Sequence, residues 1–288
     1  MTTRYVALGD SITLGVGDPI RRAGGRVIWR GWAALLAESL EPAEPASASD
    51  PGQYWHNFAA NGARVADVER HQLPRALALR PELASVVVGV NDTLRSGFSA
   101  DQVAVSLAHT VGALRAAGAQ VLTMRLPDPG RMFGLPGALA RPLARRMAEV
   151  NAATRDVSAR FGAIMLDAAA DPVTYDRRMW AVDRLHPSER GHRLLASRFH
   201  QLLDSAGYPV GPAPDPEPSN PPPNHLAEFG WLATKGSAWL ARRSTDLLPA
   251  LIGLAIRETI AGGRRAPPAL EELRLAAGEE SELTWPTA

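Results

Sequence analysis

Four polar clusters in this chain carry side chains able to do covalent or acid–base chemistry. They are Gly9-Asp10-Ser11, Asn61-Gly62-Ala63-Arg64, Gly89-Val90-Asn91-Asp92 and Asp183-Arg184-Leu185-His186-Pro187. A serine hydroxyl is a poor nucleophile at neutral pH until an imidazole takes its proton. That imidazole in turn needs a carboxylate to fix its tautomer and stabilise the cation. Asp183 lies three positions before His186, within reach of its ring, and Pro187 disfavours helical geometry at His186 while suiting the first position of a following helix. Read singly, each cluster has a plainer explanation. Gly-Asp-Ser is an ordinary turn with a helix cap, Asn-Gly a common turn dipeptide, Asn-Asp a helix cap and Asp-x-x-His a surface pair.

The elements around them decide whether they meet. Short β-branched runs at Tyr5–Leu8, Val86–Val90, Gln120–Leu126 and Ala163–Leu166, with a weaker one at Tyr54–Phe58, alternate with helical patterns at Gly31–Leu40, Ala66–Leu79, Ala100–Ala117, Leu139–Phe161 and Ser188–Ser205. This alternation predicts an α/β fold with a parallel sheet covered by helices on both faces. Ser99 with Gln102 forms a capping box, and Gly118 a helix stop. Ligands of such a sheet bind beyond the carboxyl ends of its strands, and three of the clusters follow strand-like runs directly. The fourth stands some way after the run at Ala163–Leu166.

Taken together and in this order, the clusters resemble those of the SGNH hydrolases, the GDSL family of esterases and lipases, over about residues 4 to 206. The resemblance implies a three-layer flavodoxin-like fold. It assigns the nucleophile to Ser11, backbone oxyanion donation to Ser11 and Gly62, side-chain oxyanion donation to Asn91, and carboxylate and base to Asp183 and His186. The leading motif reads Gly-Asp-Ser-Ile, with isoleucine where the family name has leucine, a change that keeps an apolar side chain of similar size. An oxyanion needs preorganised donors, and two main-chain N–H groups with one uncharged amide would supply them. A substrate pocket is expected from the variable segments, with Phe133 in the 126–138 stretch on one side and Met179 and Trp180 on the other. The expected substrates are small acyl esters, thioesters or acetylated metabolites. The other class of function weighed is a catalytically silent SGNH-fold module that binds through its C-terminal helices; such a module would be expected to have lost at least one of the five site residues, and all are present.

Competing chemistries find little support. There is no Gly-x-Ser-x-Gly elbow, no Gly-Lys-Ser/Thr and no complete Gly-x-Gly-x-x-Gly, which leaves the α/β-hydrolase and nucleotide-loop readings without their motifs. No cysteine is present, and His56, His71, His109, His192, His200 and His225 are scattered without metal-ligand spacing; no metal or cofactor is expected. His192 falls inside a predicted helix without a partner and reads as structural. Asp10 and Asp92 read as holding their loops through local hydrogen bonds.

In the 288 residues, 45% are apolar, enough for a sizeable core, and the formal net charge is +1, which argues against a nucleic-acid partner. Arginine outnumbers lysine 30 to one, a compositional bias that says nothing about phosphate recognition. The hydrolase domain is assigned to residues 1–208. Between Pro209 and Pro223 eight of fifteen residues are proline, so 209–224 reads as an extended linker. Residues 225–262 regain helical character, and 263–288 form an acidic, loosely ordered tail. Arg242, Arg243 and Arg257 bracket the apolar Leu247–Ile256, so that 242–257 suits an anionic membrane surface, but Pro249 argues against one long uninterrupted membrane helix. Docking onto the hydrolase or a second subunit is the preferred reading. The polar Gly9-Asp10-Ser11 leaves no room for a signal segment ahead of it, so a cytoplasmic address is expected.

Overall fold

In a computed structural model of the chain, the described residues are 4–21, 24–25, 27–40, 54–134, 137–219 and Gly253, with the side chains of Phe133, Ala138 and Leu139 excepted. Five parallel strands form the central sheet: β1 (Tyr5–Gly9), β4 (Trp55–Asn57), β5 (Leu83–Val87), β6 (Gln120–Arg125) and β7 (Ile164–Asp167). Their order is β4-β1-β5-β6-β7. Numbered by appearance within this sheet, that is 2-1-3-4-5, the flavodoxin-like order, whose switch point falls between β1 and β5. Every residue of β1 and β5 is buried, as strands covered on both faces must be.

Helices α2 (Gly31–Glu38) and α9 (Glu189–Ser205) pack together over the sheet, with Trp32 stacked on Phe199 at 4.7 Å between ring centroids. Helices α6 (Ala100–Ala116) and α8 (Gly137–Phe161) form another pair. Ser99 caps α6 by accepting the Gln102 N–H, and Gly118 ends it in a left-handed turn, its N–H bonded to the Arg115 carbonyl and that of Ala119 to Leu114.

Some elements differ from the sequence reading. The strand read at Val86–Val90 is Leu83–Val87: Gly89 takes φ 135°, and Val90 opens a short helix, α5 (Val90–Thr93). Val88 and Val90 are apolar because they are buried beneath the sheet's mouth, not because they pair. The helix read at Ala66–Leu79 is three pieces, α3 (Val65–Asp67), a π-helical turn (Val68–Gln72) and α4 (Leu73–Ala78). Short α1 (Ser11–Leu14) and α7 (Pro129–Phe133), and the antiparallel pair β2 (Pro19–Arg21) and β3 (Val27–Trp29), are too brief for periodicity to show. Pro187 is not the first residue of α9. It bridges Trp180 in a short antiparallel contact, and Ser188 caps the helix.

Up to residue 219 the proline-rich segment carries no helix or strand and lies along α9. Arg193 donates to the Asp215 carbonyl at 2.6 Å, His200 to that of Gly211 at 2.9 Å, and the Ser219 N–H reaches Glu189 at 2.6 Å. The helical extension, the acidic tail and the 242–257 stretch lie outside the described residues, Gly253 apart. Among the described residues no helix is long and apolar enough to cross a membrane.

Candidate active site

The switch point gathers the clusters. At the end of β1, Asp10 caps α1 by accepting the Ile12 N–H at 2.9 Å, which places Ser11 at the first helical position. The Ser11 N–H there has no intrahelical acceptor. After β4, the Ala63 N–H returns to the Ala60 carbonyl at 3.1 Å and closes a turn with Gly62 in its third position. Gly62 takes φ 77°, the left-handed value that a type II turn requires there. A Cβ at Gly62 would meet no protein atom within 4 Å, so the backbone angle, rather than crowding by the protein, demands glycine. After β5, the Asn91 amide donates to the Ala63 carbonyl at 3.1 Å and to Asp10 Oδ2 at 3.4 Å, joining all three loops.

The fourth cluster arrives in a tight loop between Trp180 and Pro187. The loop is closed by Ala181 N–H to the His186 carbonyl and Ser188 N–H to the Met179 carbonyl, each at 2.8 Å. Within it Asp183 Oδ1 accepts the Leu185 and His186 N–H groups at 2.9 and 3.0 Å, while Arg184 is held in the left-handed region at φ 54°. Asp183 Oδ2 is thereby free to accept from His186 Nδ1 at 2.7 Å. Since Nδ1 faces a carboxylate it carries the proton, leaving Nε2 to accept from Ser11 Oγ at 2.9 Å. Burial pushes the Asp183 carboxyl up. The His186 ring and the two backbone donors outweigh that and leave it below its ordinary value. Gly17 lets the two halves close, since a Cβ there would stand 2.0 Å from the Pro187 carbonyl oxygen.

Ser11, Asp183 and His186 thus form one hydrogen-bonded chain. Gly62 and Asn91 belong to the loops beside it. Met179 and Trp180 line a small apolar crevice with Ile12, Pro127, Pro187 and Leu195. Two of these, Ile12 and Pro187, are the chain neighbours of Ser11 and His186. The side chain of Phe133 lies outside the described residues.

His192 is fully buried and is not a second base. Its Nδ1 faces the Trp32 N–H at 3.2 Å and must accept, so Nε2 donates to the Val16 carbonyl at 3.0 Å. Burial holds its pKa to about 4, and the neutral ring pins α2 and the turn after α1 to α9. Asp92 binds across loops rather than locally, accepting the Val65 N–H at 3.2 Å. Gln72 was not singled out in the sequence. From the π-helical turn it clamps Gly9, accepting its N–H at 2.8 Å and donating to its carbonyl at 2.9 Å. A glutamine beside Leu73 gives no sequence signal of this, because helical periodicity of 3.6 would not turn it inward.

Burial raises the Asp10 carboxyl to about 7, against hydrogen bonding from Ile12 and the nearby His186. A buried acid with a raised pKa binds its proton more tightly folded than unfolded, so stability falls as pH climbs from the ordinary aspartate value toward 7. Asp10→Asn is expected to shrink the difference in Tm between pH 5 and pH 8. An undiminished difference in thermal melts would place the titration elsewhere.

Residues 7–194 match the model of the GDSL-like lipase/acylhydrolase family. The chain belongs to that family, and it is a serine esterase of the SGNH type. Similar solved structures include the acetylxylan esterase Axe2 from Geobacillus stearothermophilus (19% identity, TM-score 0.53, covering 70% of this chain and 94% of that one). TesA is similar at 23% identity and TM-score 0.52, covering 70% of this chain and 98% of its own. A lipase/acylhydrolase from Enterococcus faecalis matches at 19% identity and TM-score 0.52, covering 76% of this chain and 100% of that one. At these identities the likeness speaks for the fold. No curated protein matches the sequence.

Proposed function

We propose that the protein hydrolyses small acyl esters, thioesters or acetylated metabolites through an acyl-enzyme on Ser11. The observation that carries this reading is the unbroken chain from Ser11 Oγ to His186 Nε2 at 2.9 Å and from His186 Nδ1 to Asp183 Oδ2 at 2.7 Å. Ser11 Oγ attacks the acyl carbon as its proton passes to His186 Nε2. The tetrahedral oxyanion is met by the N–H groups of Ser11 and Gly62 and the Asn91 amide. The carbon–oxygen or carbon–sulfur bond then breaks, and the alcohol or thiol leaves with the proton from His186. Water attacks the Ser11 ester, gives its proton to the same nitrogen, and the acid departs as that proton returns to Ser11.

Asn91 engages the oxyanion by giving up its long 3.4 Å contact to Asp10, the weaker of its two bonds. Asn91→Ala is expected to lower kcat by about 10²–10³ with little change in KM. Steady-state kinetics on the purified variant check this, and a change in KM alone would remove Asn91 from the oxyanion site.

In this reading a short acyl chain lies against the small apolar crevice that Met179 and Trp180 line, whose lining supports an apolar rather than a charged acyl group. A panel of p-nitrophenyl esters of increasing chain length tests it. Activity is expected to be greatest on the shortest members, and a rise in kcat/KM through long chains would exclude this crevice as the acyl site.

A further inference from the structure

A separate cavity is built on the segments that follow Gly62 and Asn91 in the chain. It is partly open to solvent and is lined by Arg64, Asp92, Arg95, Phe98, Ser99 and their neighbours. Its walls are continuous with the site. Arg64 follows Gly62 by two residues, Asp92 follows Asn91 directly, and the Asn91 amide bonds the Ala63 carbonyl between them.

The charges in this lining are unevenly committed. Arg64 holds Asp67 through Nε at 3.1 Å and Nη2 at 3.4 Å, which leaves the Nη1 edge of its guanidinium unspent. The Arg95 guanidinium has no hydrogen-bond or ion-pair partner among the described residues. Asp92, the carboxylate in the wall, is turned to the Val65 N–H, and burial raises its pKa to about 6. The charge of Arg64 is met by Asp67, so Arg95 is the guanidinium of this lining that no carboxylate of the described residues neutralises. The wall is also braced: Arg146 on α8 donates to the Thr93 and Arg95 carbonyls at 2.9 and 2.8 Å, with its guanidinium carbon 5.2 Å from the centre of the Phe98 ring. Arg146 thus holds the backbone of the segment from which Arg95 lines the cavity.

We propose that this cavity is a subsite for an anionic group, a carboxylate or phosphate, carried on the alcohol or thiol portion of the substrate. The assignment rests on the hydrolase reading above, in which the apolar crevice takes the acyl chain and the leaving group is the part left to reach this cavity. A planar guanidinium with its donors uncommitted binds such oxygens with paired hydrogen bonds, and the unspent Nη1 edge of Arg64 lies in the same lining. The aromatic face of Phe98 gives the body of the leaving group an apolar wall.

The test compares kcat/KM of the full-length protein for 4-acetoxybenzoate, 4-acetoxyphenyl phosphate and the uncharged 4-acetoxybenzamide, each normalised to its own rate of hydroxide hydrolysis. The wild type is expected to favour one or both charged esters by about tenfold, as a charge-assisted hydrogen bond would give. The two charged esters separate carboxylate from phosphate as the preferred group. The preference should shrink as salt is raised. Arg95→Gln should bring the ratio close to parity and Arg95→Glu should invert it. Arg64→Gln, a second variant in the same lining, should lower it as well. A wild type that hydrolyses all three esters without preference overturns the subsite and leaves the hydrolase reading intact. A preference untouched by either arginine variant overturns the assignment to this cavity. No hydrolysis of any of the three counts against the hydrolase reading itself.

Discussion

Ser11→Ala is expected to lower kcat by on the order of 10⁶ and to abolish covalent labelling by a fluorophosphonate, with the fold retained. The size of the effect follows from what the hydroxyl does. The mechanism runs through an ester on Ser11 Oγ, and a methyl group forms none. The folded protein loses little, because the bond found for that hydroxyl is the one with His186 Nε2 at 2.9 Å. Its removal leaves an imidazole nitrogen at the mouth of the site without that donor and costs about 1 kcal/mol. A melt within a few degrees of wild type, together with lost labelling and lost turnover, would separate chemistry from folding. Persistent labelling in Ser11→Ala would move the nucleophile to another residue, and the reading built on this hydroxyl would fail with it.

Much of this was legible in the sequence because the site sits where chain order and fold coincide. Ser11, Gly62 and Asn91 each follow a strand of a parallel sheet, and the carboxyl ends of those strands all lie on one side. A residue read just past a strand is thereby also placed in space. The boundary error at β5 shows the limit of that logic. Hydropathy reports burial, and the valines at 88 and 90 are buried in the loop and the short helix that aim Asn91.

What the sequence did not show are contacts that join distant segments without a periodic signature. The Gln72 clamp on Gly9 spans 63 residues and depends on a π-helical turn that no 3.6-residue pattern announces. The His192 bridge between Trp32 and Val16 was legible only as a histidine without a partner at any sequence spacing. Arg64 and Arg95 were equally indistinct, two arginines among 30, until the fold set them in one wall.

Asp183→Asn is expected to lower kcat by about 10⁴ while leaving KM and the melting temperature close to wild type. In the native loop the carboxylate has two separate tasks. Oδ1 accepts the Leu185 and His186 N–H groups at 2.9 and 3.0 Å and so shapes the turn, while Oδ2 accepts the Nδ1 proton of His186 at 2.7 Å. An asparagine can keep its oxygen on the two backbone donors, preserving the turn, and then presents an NH₂ group to Nδ1. Two donors cannot face each other, so the imidazole takes the other tautomer, with its proton on Nε2 and pointing at Ser11. A ring in that state has no lone pair with which to receive the serine proton, although every heavy atom stays in place. Asp183→Ala is the complementary control. It removes the acceptor for both backbone groups in a loop where Arg184 already sits at φ 54°, so it should lose stability as well as rate. If the asparagine variant fell by less than about tenfold, the carboxylate would not be fixing the tautomer, and His186 would owe its orientation to the surrounding backbone alone.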